Sequence, residues 1–319
     1  MFLDRHTALY NISESSNEDI QIIIRLTRIC NYNCGFCGVE LSKEIFSYEE
    51  IIELINNTIE VFKGKKINFT LSGGEPTLHP RFRDIVYYIG EKGYNMDLQT
   101  NAILFADKFF LKKNKLTNIR FFVSLHAHNG LLNKIITGGN IDVFDKHIEG
   151  IKNIINEYGI NSICFNFVAN IFNIKFLGDY FDFLNDNFAP HGYIQLSISI
   201  LNQSDKVYPY LIRHTRLVDE INNNLYRVGK IKLNLVMYGS GCMMPFYILR
   251  KLKIIDIKDL YNKELDFSTV FKNINSIVKS EKCESCMFNK MCFGVSNKYE
   301  KKFSLGELKP IGQDDINKK

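Results

Sequence analysis

From about residue 20 to residue 237 the chain alternates between short apolar runs and longer stretches with helical spacing, and this alternation constrains the fold more than any other feature. Strand-like runs cover 20–27, 66–71, 95–100, 118–125, 162–169 and 193–200. Helix-like stretches cover 48–62, 82–92, 143–158, 176–188 and 210–228. Such alternation predicts βα units and a parallel sheet. Six strands are too many for one mononucleotide-binding half and too few for a closed eight-stranded barrel. The expected fold is α/β, an open partial (β/α)6 TIM-like barrel over 20–238, with a short run at 232–237 as a candidate extension. Beyond about 240 the alternation stops and cysteines cluster among loop residues. Residues 239–319 therefore read as a small metal-supported module and tail, and 1–19 as an N-terminal extension.

The eight cysteines fall into a front group (Cys30, Cys34, Cys37), a rear group (Cys242, Cys283, Cys286, Cys292) and a lone Cys164. The front group directly follows the first strand, at the end where α/β barrels place their chemistry. Three thiolates can converge on one cluster, one fewer than a cubane [4Fe-4S] centre needs, which leaves an iron open for a non-protein ligand. No apolar stretch approaches the roughly 20 residues of a membrane span. Met1–His6 lacks the basic start and apolar core of a signal peptide. A cytoplasmic protein is expected, in which cysteines bind metal or react more often than they pair. The formal charge of +5 permits an acidic partner without requiring one. Its lysines are dispersed, so nucleic acid is not an expected partner.

A second motif, Ser72-Gly73-Gly74-Glu75-Pro76, ends the second strand. Glycines let backbone approach a ligand closely, Glu75 suits an ammonium group, and Pro76 stiffens the turn. Alone this could be an ordinary strand-to-helix turn, but it follows the cysteine loop by one βα unit. Together the two motifs resemble the radical S-adenosylmethionine (radical SAM) enzymes. That resemblance implies that Cys30, Cys34 and Cys37 bind three irons of a [4Fe-4S] cluster, while the amino and carboxylate groups of S-adenosyl-L-methionine chelate the fourth. Gly73, Gly74, Glu75 and Pro76 would bind the methionyl ammonium. One electron from the cluster breaks the sulfonium bond, and the resulting 5′-deoxyadenosyl radical abstracts a substrate hydrogen. Phe36 matches the residue packed near the adenine, and Ser124 a cofactor-contacting serine. Asn166 lies in a pattern similar to the family's fifth strand. Thr100-Asn101 resembles the start of a Thr-Asn-Gly turn, with Ala102 where the glycine would stand. The resemblance covers roughly 20–200.

Period-two geometry puts Cys164 on the same face as Asn166. Some relatives use a cysteine to return a hydrogen atom to the substrate, so Cys164 is a candidate for that role; inert packing is the ordinary role of a buried cysteine. Ser124, His126 and His128 also share a face. His126 is a candidate acid/base group or a satisfied rim histidine, and His128, nearer the loop, reads as a rim histidine.

Cys242, Cys283, Cys286 and Cys292 suffice to close a metal site. Structural zinc and a second [4Fe-4S] cluster both suit them. The segment resembles the twitch modules, shortened relatives of SPASM domains, which implies an auxiliary cluster serving electron transfer. The leading expectation is hydrogen abstraction from a peptide of the ribosomally made precursor type. The alternative is oxidation, dehydration or epimerisation of a small polar metabolite, sugar- or nucleotide-like. A non-catalytic iron–sulfur or zinc redox sensor is a third class; it explains the cysteines but neither the Gly-Gly-Glu-Pro turn nor the βα units. An electron donor such as flavodoxin or ferredoxin is implied. With only 19 residues before the first strand, a peptide-recognition domain is expected to be missing or supplied by another chain.

Overall fold

The computed structural model describes residues 10–14, 19–114, 116–201, 205–236, 277–287, 289, 294–312 and 314. Its sheet begins with β1 (Tyr10–Glu14), which pairs antiparallel with β2 (Asp19–Thr27). From β2 onward all neighbours are parallel: β3 (Lys66–Gly73), β4 (Asn95–Thr100), β5 (Ile119–Ser124), β6 (Ile163–Ala169), β7 (Ile194–Ile200) and β8 (Ile231–Val236). Strand order follows chain order, and among the described residues β1 and β8 are the edges of an open, partial barrel. The described parallel strands number seven, because the run at 232–237, the candidate extension, is a full member, β8. The antiparallel edge strand β1 had no signal in the sequence pattern.

Helices α1 (Tyr48–Val61), α2 (Phe82–Glu91), α3 (Lys108–Asn114), α4 (Gly130–Thr137), α5 (Val143–Tyr158), α6 (Leu177–Phe188) and α7 (His214–Asn223) make the crossovers. In α1 a capping box fixes the start: Ser47 Oγ accepts from the Glu50 amide at 3.2 Å, and the Ser47 amide donates to Glu50 Oε2 at 2.8 Å. Its buried residues Ile51, Leu54, Ile55 and Thr58 follow helical spacing. They join Ile20, Ile22, Ile24 and Leu26 of β2 in the main core between sheet and helices. The stretch expected to be helical from 210 begins helix α7 only at His214, because a 3-10 turn containing Pro209 occupies 205–210.

The other face of the sheet is polar. Asn68 and Ser72, Asp97 and Gln99, Arg120 and Ser124, Asn166, and Ser197 and Ser199 alternate with the core residues along β3 to β7. Such alternation is unusual for parallel strands, which are commonly apolar on both faces, and it marks the barrel interior as a place for polar ligands. Near its floor Asp97 accepts two hydrogen bonds from Arg120 (2.9 and 3.1 Å) and one from Asn68 (2.8 Å).

At the C-terminal end β9 (Ile277–Val278) and β10 (Val295–Ser296) form a two-stranded ladder leading into α8 (Asn297–Phe303). This segment is fastened to the barrel. Tyr299 Oη accepts from the His214 amide at 2.8 Å, Thr215 Oγ1 donates to Glu307 at 2.6 Å, and Lys302 Nζ donates to the carbonyls of Tyr208 and Pro209 at 2.9 and 3.0 Å. The expected boundary at 239 and the cysteines Cys242 and Cys292 lie outside the described residues. Among the described residues no helix is long and apolar enough to cross a membrane.

Candidate active site

The front cysteines sit on an excursion of the chain whose base is zipped shut. Arg28 and Phe46 donate their amides to Glu44 and Leu26 at 2.9 and 3.2 Å, and Arg28 Nε lies 2.7 Å from the Glu44 carboxylate. Within the loop the Cys37 amide donates to the Cys34 carbonyl at 3.0 Å. All three cysteines are half-buried and line one cavity of about 630 Å³. Burial pushes the Cys30 thiol up to about 11, so a thiolate there calls for a bound cation to stabilise it.

The Gly-Gly-Glu-Pro turn lies against this loop. Gly73 has φ +137°, and a Cβ on it or on Gly74 would run into the backbone oxygens of Thr27 and Ile29. Those same oxygens accept the amides of Gly74 and Glu75, both at 2.7 Å. The glycines therefore serve the chain first: they let the exit of β3 pack flat on the start of the cysteine loop. Glu75 is fully buried. Its Oε1 accepts from Thr77 Oγ1 (2.6 Å), Thr100 Oγ1 (2.8 Å) and the Thr77 amide (3.2 Å), and its Oε2 accepts from the Asn101 amide (2.8 Å). Burial raises its pKa while these donors pull it down. No ion pair to it occurs among the described residues, so the carboxylate is oriented by donors and still lacks a countercharge. Pro76 begins the following 3-10 turn.

The remaining expected residues are also brought together. Phe36, Thr100, Asn101, Ser124, His126 and Asn166 line the cavity with Gly73, Gly74 and Glu75. Asn101 also ties the cysteine loop, donating to Asn31 Oδ1 at 2.6 Å. Ala102 takes the left-handed conformation (φ 59°) that a glycine adopts most easily. His126 Nδ1 accepts the Val168 amide at 3.2 Å, which leaves the ring proton on Nε2. Burial holds its pKa down to about 4, and its ring packs edge-on to Phe36 at 5.3 Å. This histidine is neutral at physiological pH, a donor rather than a titrating acid. His128 lies away from the cavity lining, against Phe176 and Asn129.

Cys164 is not brought to the cavity. It shares the face of Asn166, but two residues earlier on β6 places it about 6.6 Å deeper along the strand, opposite Phe122 and Gln195. It is buried, and burial raises its pKa to about 11. The periodicity found the face but not the depth. Conversely Ser72, Gln99 and Ser199 line the cavity unannounced, although the alternation of β7 could have signalled Ser199. Ser72 Oγ donates to Gln99 at 2.7 Å and Ser199 Oγ to Asn166 at 2.7 Å.

Three cysteine thiols and a buried carboxylate with no ion-pair partner among the described residues converge on one cavity. The donor set therefore fits a cluster with one open iron beside an ammonium-bearing ligand. Residues 24–172 match the family model described as "Radical SAM superfamily". This segment belongs to the radical SAM superfamily. Related sequences fall in the same region. A "Probable GTP 3',8-cyclase" of Saccharolobus islandicus is 39% identical over 159 residues, 48% of this chain and 48% of the relative. A protein of the same description from Sulfurisphaera tokodaii is 35% identical over 173 residues, 53% and 52% of the two chains. The radical SAM chain thus spans about half the length of the curated relatives it matches. Among solved structures, Streptococcus suis SuiB bound to precursor peptide SuiA aligns with a TM-score of 0.57 at 18% identity, covering 97% of this chain and 77% of that one. anSMEcpe with bound AdoMet aligns at 0.56 and 16%, covering 86% and 88%. At these identities the likeness is one of fold.

At the rear, Cys283 lies within a 3-10 turn (Glu281–Ser285) and Cys286 directly after it; the Cys286 amide donates to the Cys283 carbonyl at 3.1 Å. Cys286 Sγ accepts the Ile311 amide at 3.4 Å. Both thiols are free and half-buried.

Proposed function

We propose that this radical SAM enzyme takes a hydrogen atom from a peptide. Cys30, Cys34 and Cys37 would hold the cluster, and Gly73, Gly74, Glu75, Ser124 and Asn166 the S-adenosylmethionine. When bound, the cluster supplies the electron that cleaves this cofactor and yields the hydrogen-abstracting radical. The chain's own contribution is to orient and to exclude water. Glu75, fixed by four donors, presents a carboxylate to the ammonium. Phe36 and His126 form an apolar and donor wall, and Leu201 and Val207, in the same apolar cluster as Phe36, extend it.

The observation that carries the peptide reading is the charge of the cavity. Its remaining polar lining is neutral, with Ser72, Gln99 and Ser199 offering amide and hydroxyl groups, and no described lining residue carries a positive charge. Peptide amides pair with such groups directly. A nucleoside triphosphate calls for charge-assisted donors, chiefly Arg or Lys. The second reading, a nucleotide substrate, rests on the likeness to proteins described as GTP 3',8-cyclases. The rear cysteines would hold an auxiliary cluster, for which the amide-to-thiol bond at Cys286 gives the first outer contact. A low-potential carrier such as flavodoxin or ferredoxin would deliver electrons.

The test is anaerobic reconstitution with iron and sulfide, then dithionite and S-adenosylmethionine. Slow formation of 5′-deoxyadenosine without substrate is expected, accelerated by precursor-type peptides and not by GTP. Acceleration by GTP with its consumption would establish the nucleotide reading instead. About eight irons per chain would mark two [4Fe-4S] clusters, and about four with one zinc a structural zinc site at the rear.

A further inference from the structure

The three residues between Cys30 and Cys34 are each held by a different part of the barrel top. Asn31 Oδ1 accepts from Asn101 Nδ2, past the end of β4, at 2.6 Å. The Asn33 amide donates to the Thr137 carbonyl at the C-terminus of α4, at 2.8 Å. Between them Tyr32 is buried, and its hydroxyl accepts from Asn133 Nδ2 on α4 at 3.1 Å and stands 3.3 Å from His147 Nδ1 on α5. The tyrosine hydroxyl thus links Asn133 and His147 in one hydrogen-bonded chain across α4 and α5. Helix α4 comes this close because it ends in two glycines: a Cβ on Gly139 would lie 2.9 Å from the Tyr32 ring, and one on Gly138 3.1 Å from the Asn33 carbonyl.

The network carries a cost. Asn133 Oδ1 and His147 Nε2 are buried and have no hydrogen-bond partner among the described residues. Leaving a buried polar atom unsatisfied is destabilising, and a half-satisfied polar network is inferior to apolar packing where stability alone is concerned. An arrangement that retains these orphans beneath the thiol loop is explained by what it positions. Outer contacts of this kind orient metal ligands, and their loss lowers metal affinity by about 10- to 100-fold.

We propose that Tyr32, Asn133 and His147 are positioning residues that set the spacing of the Cys30 and Cys34 thiolates, and thereby the retention and reduction potential of the front cluster. The proposal rests on the reading that Cys30, Cys34 and Cys37 hold that cluster.

The test uses the full chain, reconstituted anaerobically. Three quantities are read: the rate of iron release to an excess of chelator, the cluster midpoint potential by electron paramagnetic resonance, and the melting temperature of the metal-free protein. Tyr32→Phe keeps the ring and removes the hydroxyl. It is expected to speed iron release about ten-fold, to shift the potential, and to lower the melting temperature. The triple variant Tyr32→Phe, Asn133→Leu, His147→Leu removes all the polar groups together. It is expected to recover melting temperature while iron release stays fast and the potential stays displaced. Recovery of all three quantities in the triple variant would reduce the network to packing and overturn the proposal. So would a Tyr32→Phe protein that releases iron at the wild-type rate. A wild type that loads no iron on the front cysteines overturns the underlying cluster reading, and the positioning role with it.

Discussion

The front cysteine loop and the described rear cysteines, Cys283 and Cys286, are held in different ways. The front loop is tied to β2, β4, α4 and α5 by contacts from residues distant in sequence, so its three thiols are placed by the barrel whether or not metal is bound. The described rear cysteines lie in and just after one local 3-10 turn, tied at a distance through Ile311, whose amide donates to Cys286 Sγ and whose carbonyl accepts the Met287 amide. A site held from many sides is preformed, whereas a site held by a local turn gains its geometry from the metal it binds. Preformation suits a centre that must keep one iron open in a fixed direction; metal-driven assembly suits a closed, stabilising site.

The comparison breaks or holds first on cysteine replacement. Changing Cys30, Cys34 and Cys37 to Ala is expected to remove all 5′-deoxyadenosine formation, yet to leave the metal-free melting temperature nearly unchanged. Changing Cys283 and Cys286 to Ala is expected to leave a measurable rate but to lower the melting temperature of the metal-loaded protein. Equal losses of activity from the two sets would erase the distinction.

Glu75→Gln comes next in size. The side chain keeps its shape, but an NH2 group then faces one of the donors that now point at the carboxylate, and the countercharge for an ammonium is gone. A loss of about 1–3 kcal/mol in binding S-adenosylmethionine is expected, measured by equilibrium dialysis with reconstituted protein. Unchanged affinity would remove Glu75 from the ligand site.

Acid sensitivity sharpens the comparison between barrel and tail. Burial holds His126 and His214 down to about 4 and His147 to about 3, whereas an unfolded histidine titrates near 6.5. As pH falls through 6.5 the unfolded chain takes up protons that the folded chain does not, so stability is lost progressively from about pH 6.5 to 3. His126 and His147 belong to the barrel top; His214 stacks on Tyr299 of α8 at 4.4 Å, at the junction with the tail. Urea unfolding at a series of pH values should show this slope, and His147→Leu should make it shallower. A slope indifferent to that substitution would show that His147 takes up its proton in the folded state. The smallest effect is expected from Ala102→Gly, which relieves a left-handed alanine and is worth at most about 1 kcal/mol, read as a slightly higher urea midpoint.

Much of the barrel was legible in the chain. Strands β2 to β8 fall within one residue of the expected runs, except that β3 continues two residues further to Gly73, because strands with one buried face leave compact apolar signatures. β1 escaped because five residues, Tyr10–Glu14, pairing at an edge need no apolar run. Short helices α3 and α4 escaped because one or two turns carry too few periods to register. Within the site, the cysteine spacing and the Gly-Gly-Glu-Pro turn were readable since their residues are consecutive.

Local spacing therefore determined the chemistry: which thiols can share a cluster, which turn faces them, and which strand face looks inward. Tertiary structure alone decided depth and support. Cys164 has the right face but lies below the cavity, and Tyr32 meets partners 101 and 115 residues away. Periodicity reports the direction of a side chain from its own strand or helix; it contains nothing about which helix the finished barrel will bring against it.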